Sequence, residues 1–451
     1  MKKNTLYVVL LLVFVSAAGF VVLKFNRDEQ KKQSTEFRLL QRKGFATQPA
    51  EWAVFNTSVN NHLATIKAKP EDIKSRIALA NLFVLEGRAT GNHNYYDKAA
   101  LKYVDEVLVL DKNNYEALAM QALVFLSQHH FAEGLAVAQA AEKVNPYNAF
   151  LYGVLVDGYV EMGKYDSAVI SAEKMMSIRP DLRSYSRVSY LREIHGDLVG
   201  AVQVMQLAID AGVPGDEGTE WARCQLGGLY EKLGDRQKAA DCYAVSLANR
   251  PAYVPGLAGE ARLALAANDA PKAVTLYQQA DSLVNDFTYK EELIDVYQVA
   301  GRNEEAAKLA AAVINDMDKN ATAANNDASV GHYADKELAM AYLKTGNHEK
   351  ALEHALAEYN RRPENIEVNE LLAWVYHVKG ENNKALPYLE KAMRTNSSNP
   401  VLLCRAGLIY KEAGDMTKAT ANLESALKDK PVLPKQLETQ ALAAIKSIKQ
   451  G

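Results

Sequence analysis

Cys224-Gln-Leu-Gly-Gly-Leu-Tyr230-Glu-Lys-Leu-Gly234-Asp-Arg-Gln-Lys-Ala239-Ala-Asp-Cys-Tyr243-Ala-Val-Ser-Leu247-Ala-Asn-Arg-Pro251 is the stretch whose reading decides the fold. Leu226, Gly227 and Tyr230 share one face of a helix, Gly234-Asp235 breaks it, and Ala239, Tyr243 and Leu247 form a second apolar stripe that Pro251 stops. The pattern is helix, tight turn, helix. It recurs along the chain: the small residue of the second helix returns at Ala168, Ala201, Ala239, Ala273, Ala306, Ala351, Ala385 and Ala419, with gaps of 33, 38, 34, 33, 45, 34 and 34 residues. A period near 34 residues predicts one elongated array whose core is a ribbon, in place of the several globular domains that 451 residues would otherwise suggest.

A small residue and an aromatic on helix A, Gly at the turn, Ala on helix B and Pro at the end together resemble the tetratricopeptide repeat. The resemblance covers about four fifths of the chain. It implies an all-α, right-handed solenoid of about ten stacked hairpins with a C-terminal capping helix. It does not by itself imply an enzyme, a ligand or a pathway.

The boundaries follow from where the register starts, breaks and stops. Residues 1–23 form an export signal or membrane anchor, 24–69 a charged stalk with N-terminal capping helices, 70–317 the first part of the array, 318–331 a loop or joint, 332–431 the second part, and 432–451 the capping helix. Lys2 and Lys3 precede the apolar run Leu6 to Leu23, and Ser16-Ala17-Ala18 supplies small residues of the kind found at a cleavage site. The run is also just long enough to span a bilayer, so both readings stand. With few cysteines, the expectation is a periplasmic or inner-membrane-anchored protein with its repeats outside the cytoplasm; the basic flank after the run favours the alternative, a cytoplasmic array. Arg27 to Lys43 reads as a solvated helical spacer, and Trp52 to Ile66 as a degenerate first hairpin. Insertions at Gly87 to Tyr95 and Asp318 to Gly331 are expected as loops, the second as a joint between two sub-arrays.

Fifty-two Lys and Arg against 55 Asp and Glu give a net charge of −3, which supplies no global drive toward nucleic acid. The three cysteines lack CxxC spacing, and Cys224 and Cys242 are expected as free thiols rather than a bridge. His348-Glu349 and His354 fall six apart, so the two imidazoles diverge around a helix and do not form a zinc-protease pair. His129-His130 lies at a hairpin turn without a carboxylate or cysteine nearby in sequence and reads as a pair of surface histidines. Asp111 to Glu116 lacks the glycine that a calcium loop needs at its sixth position. The expectation is therefore no catalysis, no cofactor, no metal and no small-molecule substrate.

In the tetratricopeptide family the concave face is built from helix A, and partners bind there as extended peptides or short helices. Carried onto this chain, that register places Phe150, Asp157, Tyr190, Trp221, Arg262, Glu291, Asp295, Tyr333, Lys336, Trp374 and His377 near the groove. The competing reading is that several of them simply pack against the next helix. Some family members grip a chain-terminal carboxylate with Lys and Asn; the matching positions here carry Cys224 with Gly228, Glu291 with Asp295, and Glu370 with Trp374, which argues against such a clamp. The resemblance implies a protein–protein interaction scaffold binding a partner protein or peptide. The alternative is an envelope-biogenesis or membrane-complex assembly factor acting through its anchor, and a third idea is a sugar-polymer binder using Trp221 and Trp374.

Overall fold

The computed structural model describes Phe14 and residues 36–42, 49–284, 286–326 and 332–450. The apolar run at 6–23, apart from Phe14, and the basic flank to residue 35 lie outside the described residues. Among the described residues no helix is long and apolar enough to cross a membrane.

Twenty-two helices follow one another with no strand among the described residues. Helix α1 (Pro49–Ala68) precedes ten antiparallel hairpins: α2 (Ile73–Thr90) with α3 (His93–Leu110), α4 (Tyr115–Ser127) with α5 (Phe131–Val144), and α6 (Ala149–Glu161) with α7 (Tyr165–Ile178). Next come α8 (Leu182–Ile194) with α9 (Leu198–Asp210), α10 (Glu217–Lys232) with α11 (Arg236–Asn249), and α12 (Val254–Ala266) with α13 (Ala270–Leu283). The last four pair α14 (Phe287–Val299) with α15 (Asn303–Asn326), α16 (Asp335–Lys344) with α17 (His348–Arg361), α18 (Ile366–Val378) with α19 (Asn382–Ala392), and α20 (Pro400–Glu412) with α21 (Met416–Leu427). Helix α22 (Lys435–Gln450) lays Leu437, Ala441 and Ala444 against Leu403, Cys404 and Leu423 and covers the last hairpin. The fold is thus a tetratricopeptide-like solenoid of ten hairpins with a capping helix.

Local chemistry explains the boundaries. Asn114, Asn148, Asp181, Asn365 and Asn399 cap the starts of helices A, and Asp197, Asp235, Asp269, Asn347 and Asp415 those of helices B, each side-chain oxygen accepting a first-turn backbone N–H. Such a cap contributes about 1 kcal/mol. Within and between hairpins, small residues on helix A receive the large residue of helix B: fully buried Tyr243 lies against Gly227 of its own hairpin and Gly259 of the next, where a Cβ would run into its ring.

Four expectations change. The stretch 87–95 is mostly helical, because α2 runs on to Thr90 and α3 starts at His93, so the insertion lengthens a hairpin instead of making a loop. Helix α15 continues to Asn326, through the first part of the expected joint; 327–331 lie outside the described residues. Residues 36–42 are irregular rather than helical: Leu40 N–H donates to Tyr96 Oη (2.9 Å), and Arg42 is buried between Glu86 (2.6 Å) and Glu51 (2.9 Å). A buried arginine needs such partners, and the sequence nearest to it offered none. The segment before the array supplies one helix, α1, where a degenerate hairpin was expected.

The array also closes on itself. The turn of each hairpin from the second to the fifth docks on the linker that follows the hairpin five places later. Tyr333 N–H donates to the Gln128 carbonyl (3.1 Å), Asn365 Nδ2 to the Glu161 carbonyl (3.0 Å), Ser398 Oγ to the Gly196 carbonyl (2.9 Å), and Val432 N–H to the Glu231 carbonyl (2.9 Å). Ile366 N–H donates to Tyr165 Oη (2.9 Å), and Arg394 to the Gly163 carbonyl (2.6 Å). Partners along this seam stand 204, 201 and 202 residues apart in the chain. Buried Arg362, the residue that ends α17, lies 4.3 Å from the Phe131 ring and is paired with Glu358 of that helix and with Glu161 across the seam.

Candidate functional site

The inner face of the first part of the array holds a cavity of about 1070 Å³, lined by residues between Arg42 and Arg250. Helix α8 contributes Arg183, Arg187 and Tyr190, and α10 contributes Trp221, Gln225 and Lys232; spacings of three, four and seven put each set on one helix face. Asp157 of α6 joins them, and Glu51 and Phe55 of α1, Arg88 of α2 and Arg250 complete the wall.

The lining is dense in charge, and most of it is compensated. Arg187 donates to both Asp157 oxygens (2.9 and 2.6 Å) and to the Gly153 carbonyl (3.1 Å). Arg88 lies over the Trp221 ring (5.1 Å) and 3.7 Å from Glu217, while Arg250 pairs with Glu51 (3.1 Å) and donates to the Gly215 carbonyl (2.9 Å). Lys232 pairs with Glu193. Burial would raise the Glu51 carboxyl, yet the guanidiniums of Arg42 and Arg250 hold it below its usual range. Arg183 differs from the others: it is exposed, and among the described residues no ion pair engages it, while desolvation and neighbouring Arg187 push its guanidinium down against the opposing pull of Asp181. An exposed guanidinium on a cavity wall, with no ion pair of its own, can offer its donors to an anionic group.

The structure separates the eleven residues that the register placed near the groove. Asp157, Tyr190 and Trp221 line the cavity together. Phe150 packs against the core between α4 and α6. Arg262 is a clamp between helices, 2.9 Å from Glu231, 3.5 Å from Glu292 and 3.2 Å from Tyr243 Oη. Glu291 and Asp295 both hold Lys344, and burial raises the Glu291 carboxyl. Tyr333 stacks on His130 (4.1 Å) in the seam, and Lys336 pairs with Glu367, which also accepts from Tyr190 Oη (3.3 Å). Trp374 stacks with His377 (4.8 Å) beneath Arg405, away from the cavity, and His377 meets Asn382 through Nδ1 (2.7 Å).

Arg42, Arg88, Arg183, Arg187 and Arg250 carry most of the cavity's positive charge and were not among the residues picked from sequence. Arg183 and Arg187, four apart on one helix A, were the available signal. His354 pairs with Asp335 (2.6 Å), which accounts for that histidine without a metal motif. All three cysteines are free thiols, and Cys224 Sγ meets Ser246 Oγ at 3.3 Å.

No family profile matches the sequence, and no curated protein matches it. Among solved structures the chain is similar to PilW, described as a widely conserved type IV pilus biogenesis factor, at 18% identity over 44% of this chain and 91% of that one, TM-score 0.37. TTC0263, a thermophilic TPR protein in Thermus thermophilus, is 18% identical over 43% and 100%, TM-score 0.38. Human IFIT1 as a dimer with PPP-AAAA is 18% identical over 70% and 73%, TM-score 0.41. These likenesses are too distant to carry function, which is read from the chain's own residues.

Proposed function

We propose that the protein is a non-enzymatic interaction scaffold whose concave cavity receives an extended peptide segment carrying a carboxylate. The observation that supports this reading is Arg183, exposed and without an ion pair beside Arg187 in a cavity that also presents Tyr190 and Trp221. A guanidinium gives a carboxylate a two-pronged partner, and rings on the same wall supply apolar area. Because the surrounding cations are already paired, an incoming acidic group meets one strong anchor within a wall of compensated charges.

Labelled decapeptides of acidic, neutral and basic composition, titrated against the full chain, test this directly. The acidic peptide binds best, and Arg183→Ala weakens it at least tenfold, about 1.4 kcal/mol, at unchanged melting temperature. Equal binding of all three, or an unaffected Arg183→Ala variant, contradicts the reading.

The Lys2-Lys3 start and the apolar Leu6 to Leu23 support an exported or membrane-tethered array with its repeats outside the cytoplasm. Cell fractionation with external protease is the test: degradation of the repeats in cells with a permeabilised outer envelope agrees with this placement, and full protection until lysis contradicts it.

A further inference from the structure

The ten hairpin turns share one backbone device, a residue in the left-handed region just after helix A. It is glycine at 91, 163, 196, 234, 301, 346, 380 and 414, Asn268 in the sixth hairpin, and His129, at φ 61°, in the second. The same turn hydrogen bonds form there, His130 N–H to the Phe125 carbonyl at 2.8 Å matching Lys164 N–H to Tyr159 at 2.8 Å. Histidine, whose Cβ disfavours this conformation, stands where the rest of the array uses glycine or asparagine. Strain of this kind marks a position whose side chain is needed.

That side chain points across the seam. His129 and His332 rings lie 4.0 Å apart, and Glu337, in the first turn of α16, brings an oxygen 3.8 Å from His129 Nδ1. One donor atom from each of the three residues falls within 4.8 Å of the others. His129 Nδ1 lies 3.0 Å from the Tyr333 carbonyl and His332 donates to the Ser127 carbonyl, so each ring is held by a backbone oxygen and keeps its other nitrogen as a lone-pair donor. Glu337 Oε2 is buried with no hydrogen-bond partner. The nearby cations are already engaged, Arg362 by Glu161 and Glu358, and Lys336 by Glu367.

We infer that His129, His332 and Glu337 form a binding site for a divalent transition metal of the zinc class, which staples the second hairpin to the linker before α16. Two imidazoles and one carboxylate form a donor set suited to zinc, with a fourth position left for water. Bonds of about 2.0–2.2 Å place ligand atoms roughly 3.4 Å apart, so binding draws the two sides of the seam together by about an ångström. The metal supplies the positive partner that the Glu337 carboxylate lacks. Sequence alone showed His129-His130 without a carboxylate because Glu337 arrives from more than two hundred residues away.

Zinc titrated into chelator-stripped full chain, read by competition with a chromophoric chelator, tests the site. One zinc per chain binds and raises the melting temperature; His332→Ala and Glu337→Gln each weaken binding at least tenfold, whereas His377→Ala leaves it unchanged. Absence of a saturable equivalent, or equal binding by the His332→Ala and Glu337→Gln chains, overturns the inference. Cobalt in the unaltered chain gives a reading that needs no variant: intense visible bands of a four-coordinate ion support the site, and only the weak six-coordinate spectrum overturns it.

Discussion

Gly163 and Gly346 occupy the same place in their hairpins, just after helix A, with φ of 69° and 73°. Around Gly346, as around Gly301, Gly380 and Gly414, nothing comes within 4 Å of an added Cβ. At Gly163, Gly196 and Gly234 an added Cβ would collide with the backbone of Glu364, Asn396 and Asp429. One turn conformation therefore does two jobs. In the second half of the array it only ends a helix, whereas in the first half it also lets another turn of the superhelix approach to backbone contact. The role of a repeat residue is set by what the superhelix brings to it, not by its register alone.

The sharpest way to break this contrast is Arg362→Ala. It leaves Glu358 and Glu161 facing each other without their shared cation, and removing one member of a buried pair costs about 3–5 kcal/mol. Denaturant melts should show that loss, while Arg302→Ala, on an exposed pair with Glu305, leaves the midpoint unmoved.

Gly234→Ala follows. Left-handed strain and backbone overpacking together cost about 2–5 kcal/mol, against about 1–2 kcal/mol for Gly346→Ala, which meets only the strain. Equal losses at the two glycines would erase the distinction. Asn365→Ala removes both the cap of α18 and the bond to the Glu161 carbonyl, and is expected to cost about 1–2 kcal/mol by thermal melting.

The smallest effect is on pH dependence. Arg42 and Arg250 hold the Glu51 carboxyl below its ordinary 4.5, so the folded state binds this proton less readily than the unfolded chain. Its contribution is complete above about pH 4.5 and is lost as pH falls through the lower folded value. Melting temperature followed from pH 6 downward should therefore drop less steeply in Glu51→Gln than in the unaltered chain.

Much of the architecture is legible in the sequence because its causes are local. The near-34-residue spacing of the helix B alanines, the Asn and Asp caps and the turn glycines each act within a few residues, and they gave the hairpins and the final cap. Closure leaves no such trace: nothing within a hairpin's own sequence distinguishes Gly163 from Gly346. For the same reason Tyr333 and Lys336 were picked as groove residues and lie in the seam, and Arg262, Glu291 and Asp295 were picked and bind neighbouring helices. Trp221, Tyr190 and Asp157 reached the cavity because they sit on inner helices of the first part of the array, where the helix A rule holds.

Single-amide hydrogen exchange on the unaltered chain tests closure most directly. The N–H groups of Tyr333, Ile366 and Val432 lie at or beside inter-hairpin linkers, and their acceptors are Gln128, Tyr165 and Glu231 across the seam. A closed superhelix predicts that all three exchange as slowly as helix-core amides; exchange of all three at the rate of freely solvated linker amides would contradict it.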